Sequence, residues 1–288
     1  MSNLKIRKLS IDIERMNLPS QWNGGNAVRT QVFNALSMMF PVGEKYFIDS
    51  LMEAEKHPAF HGPAEDVPLF IRQEAIHSAL HRRFNTRLHA QGLRNIVEPL
   101  IAWRIRLGER FDTRSKLAIT VAYEHFTAVL GNAVLTDASW LDGAAEDVRT
   151  LFLWHAAEEC EHQAVAFDVY RAMGGGYLRR VLWMLYVTLL LLTDTTVQTV
   201  VNLWRSGALW RWKTAGEAAR FLFGRGGLFP ALVPAWLAWF RPGFTPHRPG
   251  GGAAAQRWLE RNSRHYRLVP GSGPDRDGDR APAHPTVA

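Results

Sequence analysis

The sequence predicts an all-α protein built on a four-helix bundle, with extra helices and a Trp/Leu-rich helical C-terminal extension. Apolar residues recur at three- and four-residue spacing from Asn26 to Met173, whereas the alternation typical of strands is scarce. Hydrophobic residues make up 47% of the 288 residues, enough for a packed core. Single Glu residues and Glu-x-x-His motifs also follow one another on successive predicted helices, an order that dinuclear metal centres in helical bundles require.

Composition divides the chain into four segments. Residues 1–25 end in Asn-Gly-Gly and predict an N-terminal arm, and residues 26–176 predict the helical bundle. Residues 177–266, rich in Trp, Leu, Phe and Arg, predict a hydrophobic and basic helical extension that either caps the bundle or associates with a membrane. Residues 267–288 are rich in Gly, Pro, Asp and Arg, which is typical of a disordered tail.

Helix-breaking residues delimit the elements of the bundle. Pro41 suits the first turn of a helix, so we expect one helix to end before it and another to begin there. Asp112 or Thr113 is the expected N-cap of a later helix, and Gly174 to Gly176 end the last one. The predicted helices are 27–39, 41–56, 63–88, 93–107, 113–135 and 144–173.

Charge and cysteine content exclude several classes of protein. The chain has 34 Lys and Arg residues and 27 Asp and Glu residues, which gives a net charge of +7. A basic protein can bind nucleic acid, but no nucleic-acid-binding motif is visible in this sequence. A single cysteine, Cys160, excludes a disulfide framework and a Cys-based zinc site. The N-terminus lacks the apolar stretch of a secretory signal, so we expect a cytoplasmic protein, with the inner membrane face as the alternative place for the extension.

Four predicted helices carry the residues of a dinuclear centre. The first offers Glu44, the next a Glu-x-x-His, another Glu124, and the last a second Glu-x-x-His. Residues i and i+3 share a helical face, so the Glu and His of each motif can bind one ion together. The residues derived from this spacing are Glu44, Glu74, His77, Glu124, Glu159 and His162.

Apolar stripes flank each of these carboxylates. Burying four unpaired carboxylates in a core is costly, so their position on apolar faces favours metal binding. One Glu-x-x-His alone is common by chance, and a core carboxylate can instead pair with an Arg; the ordered set of four argues against that explanation. The cofactor we expect is two metal ions, Fe first, with Mn or Zn as alternatives.

Five further residues lie near the predicted ligands. His155 and His81 lie one helical turn from Glu159 and His77, and each is either an additional ligand or a group that orients one. Glu158 is an alternative to Glu159. His125 points away from the predicted face and Tyr123 is either redox-active or a core aromatic residue.

These motifs resemble the bacterial family named "predicted metal-dependent hydrolase" over about residues 35–175. The matching residues are Phe40 to Glu44, Gln73 to Asn85, Glu124 to Thr127 and Trp154 to Tyr170. The ligand set resembles that of ferritin-like di-iron carboxylate proteins, and the extra His155 is similar to one in arylamine N-oxygenases. The resemblance implies a ferritin-like bundle with a di-iron centre held by Glu44, Glu74, His77, Glu124, His155, Glu159 and His162.

The predicted activity follows from the dinuclear centre. We rank first an O₂-activating di-iron oxidase or oxygenase, acting on an apolar small molecule such as a lipid or an amine. The alternatives are a dinuclear metal-dependent hydrolase and a metal-binding or membrane-associated protein without catalytic activity. The expected partners are the apolar substrate, O₂, an external electron donor and a membrane surface, with no nucleic acid; a homodimer stays open.

Overall fold

The computed structural model describes residues 4–247 and 252–269, and these are mostly helical, so the predicted all-α class is confirmed. The bundle helices are α1 (Ala27–Glu55), α2 (Val67–Ala90), α3 (Glu98–Gly108), α4 (Thr113–Thr136) and α5 (Glu146–Ala172). The later helices are α6 (Tyr177–Arg205), α7 (Trp212–Phe223), α8 (Leu228–Trp239) and α9 (Ala253–Arg261). Helix α1 packs on α2 and α4 packs on α5, and contacts of α1 with α4 and of α2 with α5 join the two pairs.

Helix α1 continues through Pro41, so the prediction of two helices separated there was wrong. A proline lacks the N–H that would bind the carbonyl of Ser37, four residues earlier, and this normally breaks a helix. Here the side-chain amide of Asn85 on α2 donates to that carbonyl at 2.8 Å. A tertiary contact thus replaces the missing helical hydrogen bond. Rules that predict helix ends from the local sequence do not include such a contact.

The N-terminal segment packs against the bundle along most of its length. Leu4, Ile6, Leu9 and Ile13 are buried, as is Trp22, whose ring stacks on Phe152 at 5.4 Å between centroids. Residues Arg7–Leu9 form strand β1, which pairs antiparallel with β2 (Tyr266–Leu268). Two residues assigned from composition to the tail, Arg267 and Leu268, therefore belong to a strand; residues 270–288 lie outside the described part of the chain.

The C-terminal extension covers one side of the bundle. Helix α6 packs on α1 and α4, α7 on α1, and α8 on α4. The outer face of α6 leaves Leu178, Leu182 and Leu189 exposed. By length and composition alone, Tyr177–Arg205 and Trp212–Trp239 are long and apolar enough to cross a membrane, which is weak support for a membrane location.

Asp112 caps α4, as predicted, because its carboxylate accepts a hydrogen bond from the backbone N–H of Ser115 at 2.7 Å. Helix α3 begins five residues later than predicted, at Glu98. Gln198 of α6 explains the difference, since its side-chain oxygen accepts the backbone N–H of Ile96 at 2.9 Å and its amide donates to the carbonyl of Arg94 at 2.9 Å. The segment before α3 is thereby held in a non-helical path.

Candidate metal centre

Buried His and Glu side chains from α1, α2, α4 and α5 meet inside the bundle. Glu74, His77, Glu159 and His162 place one potential ligand atom each within 4.8 Å of one another. Glu44, His77 and His155 form a second such group, so His77 belongs to both. Glu124 is also fully buried, and it lies close enough for its charge to interact with Glu159, Glu74 and Glu44.

The carboxylates of this cluster have oxygen atoms without protein partners. Both oxygens of Glu44 and of Glu124, and one oxygen each of Glu74 and Glu159, are buried and make no hydrogen bond. An unsatisfied buried carboxylate oxygen costs several kcal/mol unless something binds it. Hard oxygen donors beside imidazole nitrogens suit divalent iron, manganese or zinc. The residues present therefore fit bound divalent metal ions.

The shifted pKa values of the cluster without ions also favour bound cations. Burial, with the nearby charges of Glu74 and Glu159, raises the pKa of Glu44 well above the usual range. Burial and the same kind of repulsion raise the pKa of Glu124. For Glu159, burial acts in the same direction, but the hydrogen bond with His155 and the adjacent imidazole of His77 outweigh it and hold the pKa well below the usual range. Divalent cations would remove this repulsion.

Glu158 orients His77. The Nε2–H of His77 donates to Glu158 Oε2 at 2.9 Å, which leaves His77 Nδ1 facing the cluster, 3.4 Å from Glu159 Oε1. The other oxygen of Glu158 accepts from Arg7 Nη1 at 3.1 Å. Arg7 also binds Glu161 through both terminal nitrogens, at 2.7 and 3.1 Å. Glu158 is therefore placed to orient His77, and of the two adjacent carboxylates it is Glu159 that lies in the group of potential ligand atoms.

Gln73 orients His162 in the equivalent way. His162 Nε2 donates to the Gln73 side-chain oxygen at 3.0 Å, while Nδ1 lies 2.7 Å from Glu74 Oε1. The Gln73 amide donates to the backbone carbonyl of Lys5 at 3.1 Å, which fixes the orientation of the amide. The residue before the Glu of each Glu-x-x-His thus binds the histidine of the opposite helix. Sequence reasoning missed Gln73, although this repeated register was visible.

His155 and His81 belong to a chain of hydrogen bonds that leads away from the cluster. His155 Nε2 lies 2.8 Å from Glu159 Oε1 and 3.9 Å from Glu44 Oε1, so this nitrogen faces the candidate metal position. His155 Nδ1 lies 2.6 Å from His81 Nε2, and His81 Nδ1 lies 2.8 Å from Ser37 Oγ. His81 therefore contacts His155 and does not reach the carboxylates.

The remaining predicted site residues lie at the margins. His125 bonds to the backbone carbonyl of Ala235 at 3.2 Å and packs on Trp239 between α4, α5 and α8, away from the cluster. Tyr123 lines an apolar cavity, and burial raises its pKa. Burial also raises the pKa of Cys160 to about 12, and its thiol donates to the backbone carbonyl of Ala128 at 3.6 Å.

A cavity of about 420 Å³ adjoins the cluster and is lined by α1, α3, α4, α6, α7 and α8. Glu44 and Glu159 form part of its wall, and most of the remainder is apolar. Enclosed, largely apolar cavities with a few polar groups are the usual form of small-molecule sites. A substrate in this cavity would therefore reach the candidate metal position without crossing the protein.

Comparison with known proteins gives one match. The family model described as "predicted metal-dependent hydrolase" matches residues 5–250, which include every residue of the cluster. No curated protein and no solved structure matches the chain. The match extends beyond the bundle through α8, so the apolar extension is part of what the family has in common.

Proposed function

The chain belongs to the family of predicted metal-dependent hydrolases, and on that premise we propose that it is a hydrolase with two divalent metal ions at the buried Glu/His cluster. One observation carries the proposal: six carboxylate oxygens of this cluster are buried without a hydrogen-bond partner beside three inward-facing imidazoles. Bound cations would remove the cost of burying these oxygens.

The candidate ligands divide between two ions. Glu74, Glu159 and His162 lie together with His77 Nδ1, and Glu44 lies with His155 Nε2; Glu124 faces both groups from α4. Two bound divalent ions would supply the Lewis acidity that activates water and polarises a carbonyl or phosphoryl group. The mixed oxygen and nitrogen donors suit Fe, Mn or Zn.

The surrounding side chains prepare this site before any substrate enters. Glu158 and Gln73 hold the outer nitrogens of His77 and His162, so the inner nitrogens face the cluster. His81 does the same for His155. Partners of this kind set the tautomer and the ring orientation of a ligating histidine. The cavity beside Glu44 holds the apolar part of a substrate and limits the water that reaches the reacting group.

Oxidation with O₂ is the second candidate, because a mostly carboxylate cluster beside a dry apolar cavity also suits redox iron. The sequence alone placed this reaction first. The family description favours hydrolysis, so we rank it second here. A binding protein without turnover is the third.

Metal content and turnover of purified protein distinguish these functions. We expect the wild-type protein to hold about two divalent ions per chain and to hydrolyse aryl or phosphate esters with long apolar groups. Glu74→Gln should lower the metal content and abolish the hydrolysis. The exposed Glu146→Gln is the matched control and should keep both properties. O₂ consumption by the ferrous protein without ester turnover would identify the oxidase; ions without either activity would identify a binding protein. Wild-type protein that holds no ion overturns the proposal.

A further inference from the structure

The cavity beside the cluster is long and narrow. Its lining runs along α1 from Val28 to Phe47 and along α6 from Tyr186 to Leu203. At about 1.5 Å per residue, these stripes extend about 28 Å and about 25 Å. A volume of about 420 Å³ spread over such a length accommodates an extended chain better than a compact ring system.

The charged groups of the lining are concentrated at two points. Arg104 and Asp194 line the cavity but bind each other, at 2.5 and 3.1 Å. The carboxylate oxygens of Glu44 and Glu159 without partners lie nearer one end of the α1 stripe, with about 24 Å of helix between Glu44 and Val28. A molecule with one polar end and a long apolar remainder matches this distribution.

The cavity opens between α6 and α8. Leu192, Thr196 and Val200, each one helical turn apart, line the cavity and are also exposed. On the other side of the opening, Leu228 and Leu232 of α8 are half-buried lining residues.

The surface around this opening is apolar. Leu189 on α6, and Val233 and Leu237 on α8, are exposed beside it. Arg205 is the last residue of α6, Arg211 immediately precedes α7, and both are exposed. Exposed apolar side chains bordered by basic residues are typical of a surface that contacts anionic lipid. The opening therefore faces outward through a surface compatible with a bilayer.

We propose that this cavity binds one long aliphatic chain, which enters from a lipid bilayer between α6 and α8 and places its polar end at Glu44 and Glu159. The inference rests on the proposed function only in taking the cluster as the reacting centre. It names the substrate class as a lipid with a single hydrocarbon chain in the cavity.

Three variants test the binding of the chain. Val200→Trp obstructs the opening, and Val197→Trp is the matched control, because Val197 is equally exposed on the same helix but does not line the cavity. Gly43→Leu fills the cavity beside Glu44; a Cβ at Gly43 meets only the ring of Phe47, at 3.9 Å, so the backbone is not strained.

The probes are palmitate and octanoate, competing with a fluorescent fatty acid on the full chain. We expect palmitate to bind at least about tenfold more tightly than octanoate, since each extra buried methylene adds favourable transfer free energy. Val200→Trp and Gly43→Leu should weaken palmitate binding by about tenfold or more, and Val197→Trp by less than about twofold. Equal affinity of wild type and both cavity variants for palmitate, or no preference over octanoate, overturns the inference.

Cosedimentation with phosphatidylglycerol vesicles distinguishes the source of the chain. Vesicle binding by wild type and Val197→Trp, with transfer of a labelled acyl chain that Val200→Trp loses, supports the bilayer. Binding of free palmitate without any vesicle association overturns the bilayer source. Metal content, measured on the same samples, separates this inference from the proposed hydrolase function. Palmitate binding by protein that holds no ion would refute the hydrolase and would still support the binding of an aliphatic chain in the cavity.

Discussion

His81 Nε2 lies 2.6 Å from His155 Nδ1, and this contact determines which nitrogen of His155 faces the carboxylates. If His155 Nε2 binds a metal, Nδ1 carries the proton and donates to His81. His81 then donates to Ser37, whose hydroxyl donates to Asn85 Oδ1 at 2.7 Å. Burial lowers the pKa of both histidines, which favours the neutral forms that this direction of donation requires.

Replacing His81 should therefore weaken metal binding without removing a ligand. His81→Phe keeps an aromatic ring beside Phe40 and Phe152 but cannot accept the proton of His155. Loss of such a partner typically costs about 10- to 100-fold in metal affinity. The exposed His89→Phe on the same helix is the control. Metal affinities measured by competition with a chelator would refute the orienting role if His81→Phe matched the control.

Removing Arg7 should destabilise the protein. Arg7→Gln leaves Glu158 buried and without its cation, and breaking a buried pair in this way costs about 3 kcal/mol or more. Lys8→Gln, exposed on the same strand, should change the free energy of unfolding by less than about 0.5 kcal/mol. Denaturant unfolding measures both. Similar stabilities of the two variants would show that Glu158 does not depend on Arg7.

The raised pKa values of Glu44 and Glu124 predict a pH dependence of the protein without metal. Below about pH 4.5 both residues are protonated in the folded and unfolded chains. As the pH rises from there through the raised pKa values, the unfolded chain ionises first, so the folded state loses stability. The double variant Glu44→Gln, Glu124→Gln removes this effect.

The measurement compares the free energy of unfolding of wild type and double variant in a chelator between about pH 5 and about pH 8. We expect the advantage of the double variant to grow as the pH rises. Bound metal should stabilise wild type most at the upper end of the range, because its ligands must be deprotonated. An advantage that stays constant with pH would mean that these carboxylates titrate normally.

Asn85 and Pro41 should show coupled effects on stability. Asn85→Ala leaves the Ser37 carbonyl unsatisfied and should cost about 1–3 kcal/mol. In a Pro41→Ala background the restored N–H can bind that carbonyl, so the same substitution should cost about 1 kcal/mol less. A double-mutant cycle measured by denaturant unfolding tests this. Equal costs in both backgrounds would exclude the proposed repair of the helix.

Periodicity and helix breakers predict most of the fold from sequence, because amphipathic helices carry their signal locally. Pro41 misleads, since the contact that repairs the helix comes from a residue 44 positions later. Strands β1 and β2, three residues each, are too short for an alternating pattern to be recognised. The N-terminal segment has widely spaced apolar residues, so its burial depends on a surface that only the folded bundle provides.

For the candidate site, residue spacing identifies the residues that face the cluster. It does not identify the residues that hold them in place through hydrogen bonds. The structure brings together Glu44, Glu74, His77, His155, Glu159 and His162, all proposed from sequence. It places Glu158 and His81 against ligand histidines, a distinction that needs interatomic distances, because spacing alone left Glu158 as an alternative to Glu159 and His81 as either a ligand or an orienting group. Arg7 and Gln73 were missed. Arg7 has no motif around it, and its role depends on a strand pairing between distant segments.

That pairing implies an order of events in biosynthesis. Arg7 and Lys5, which hold Glu158 and Gln73, lie on or beside strand β1, and β1 gains its partner only when residues 266–268 have been made. All the candidate ligands leave the ribosome about a hundred residues earlier. A nascent chain can therefore bring the candidate ligands together early, but the strand pairing that positions Arg7 and Lys5 forms last. Chains arrested before residue 266 should retain metal less well than released chains, which metal analysis of stalled and released ribosome complexes would test.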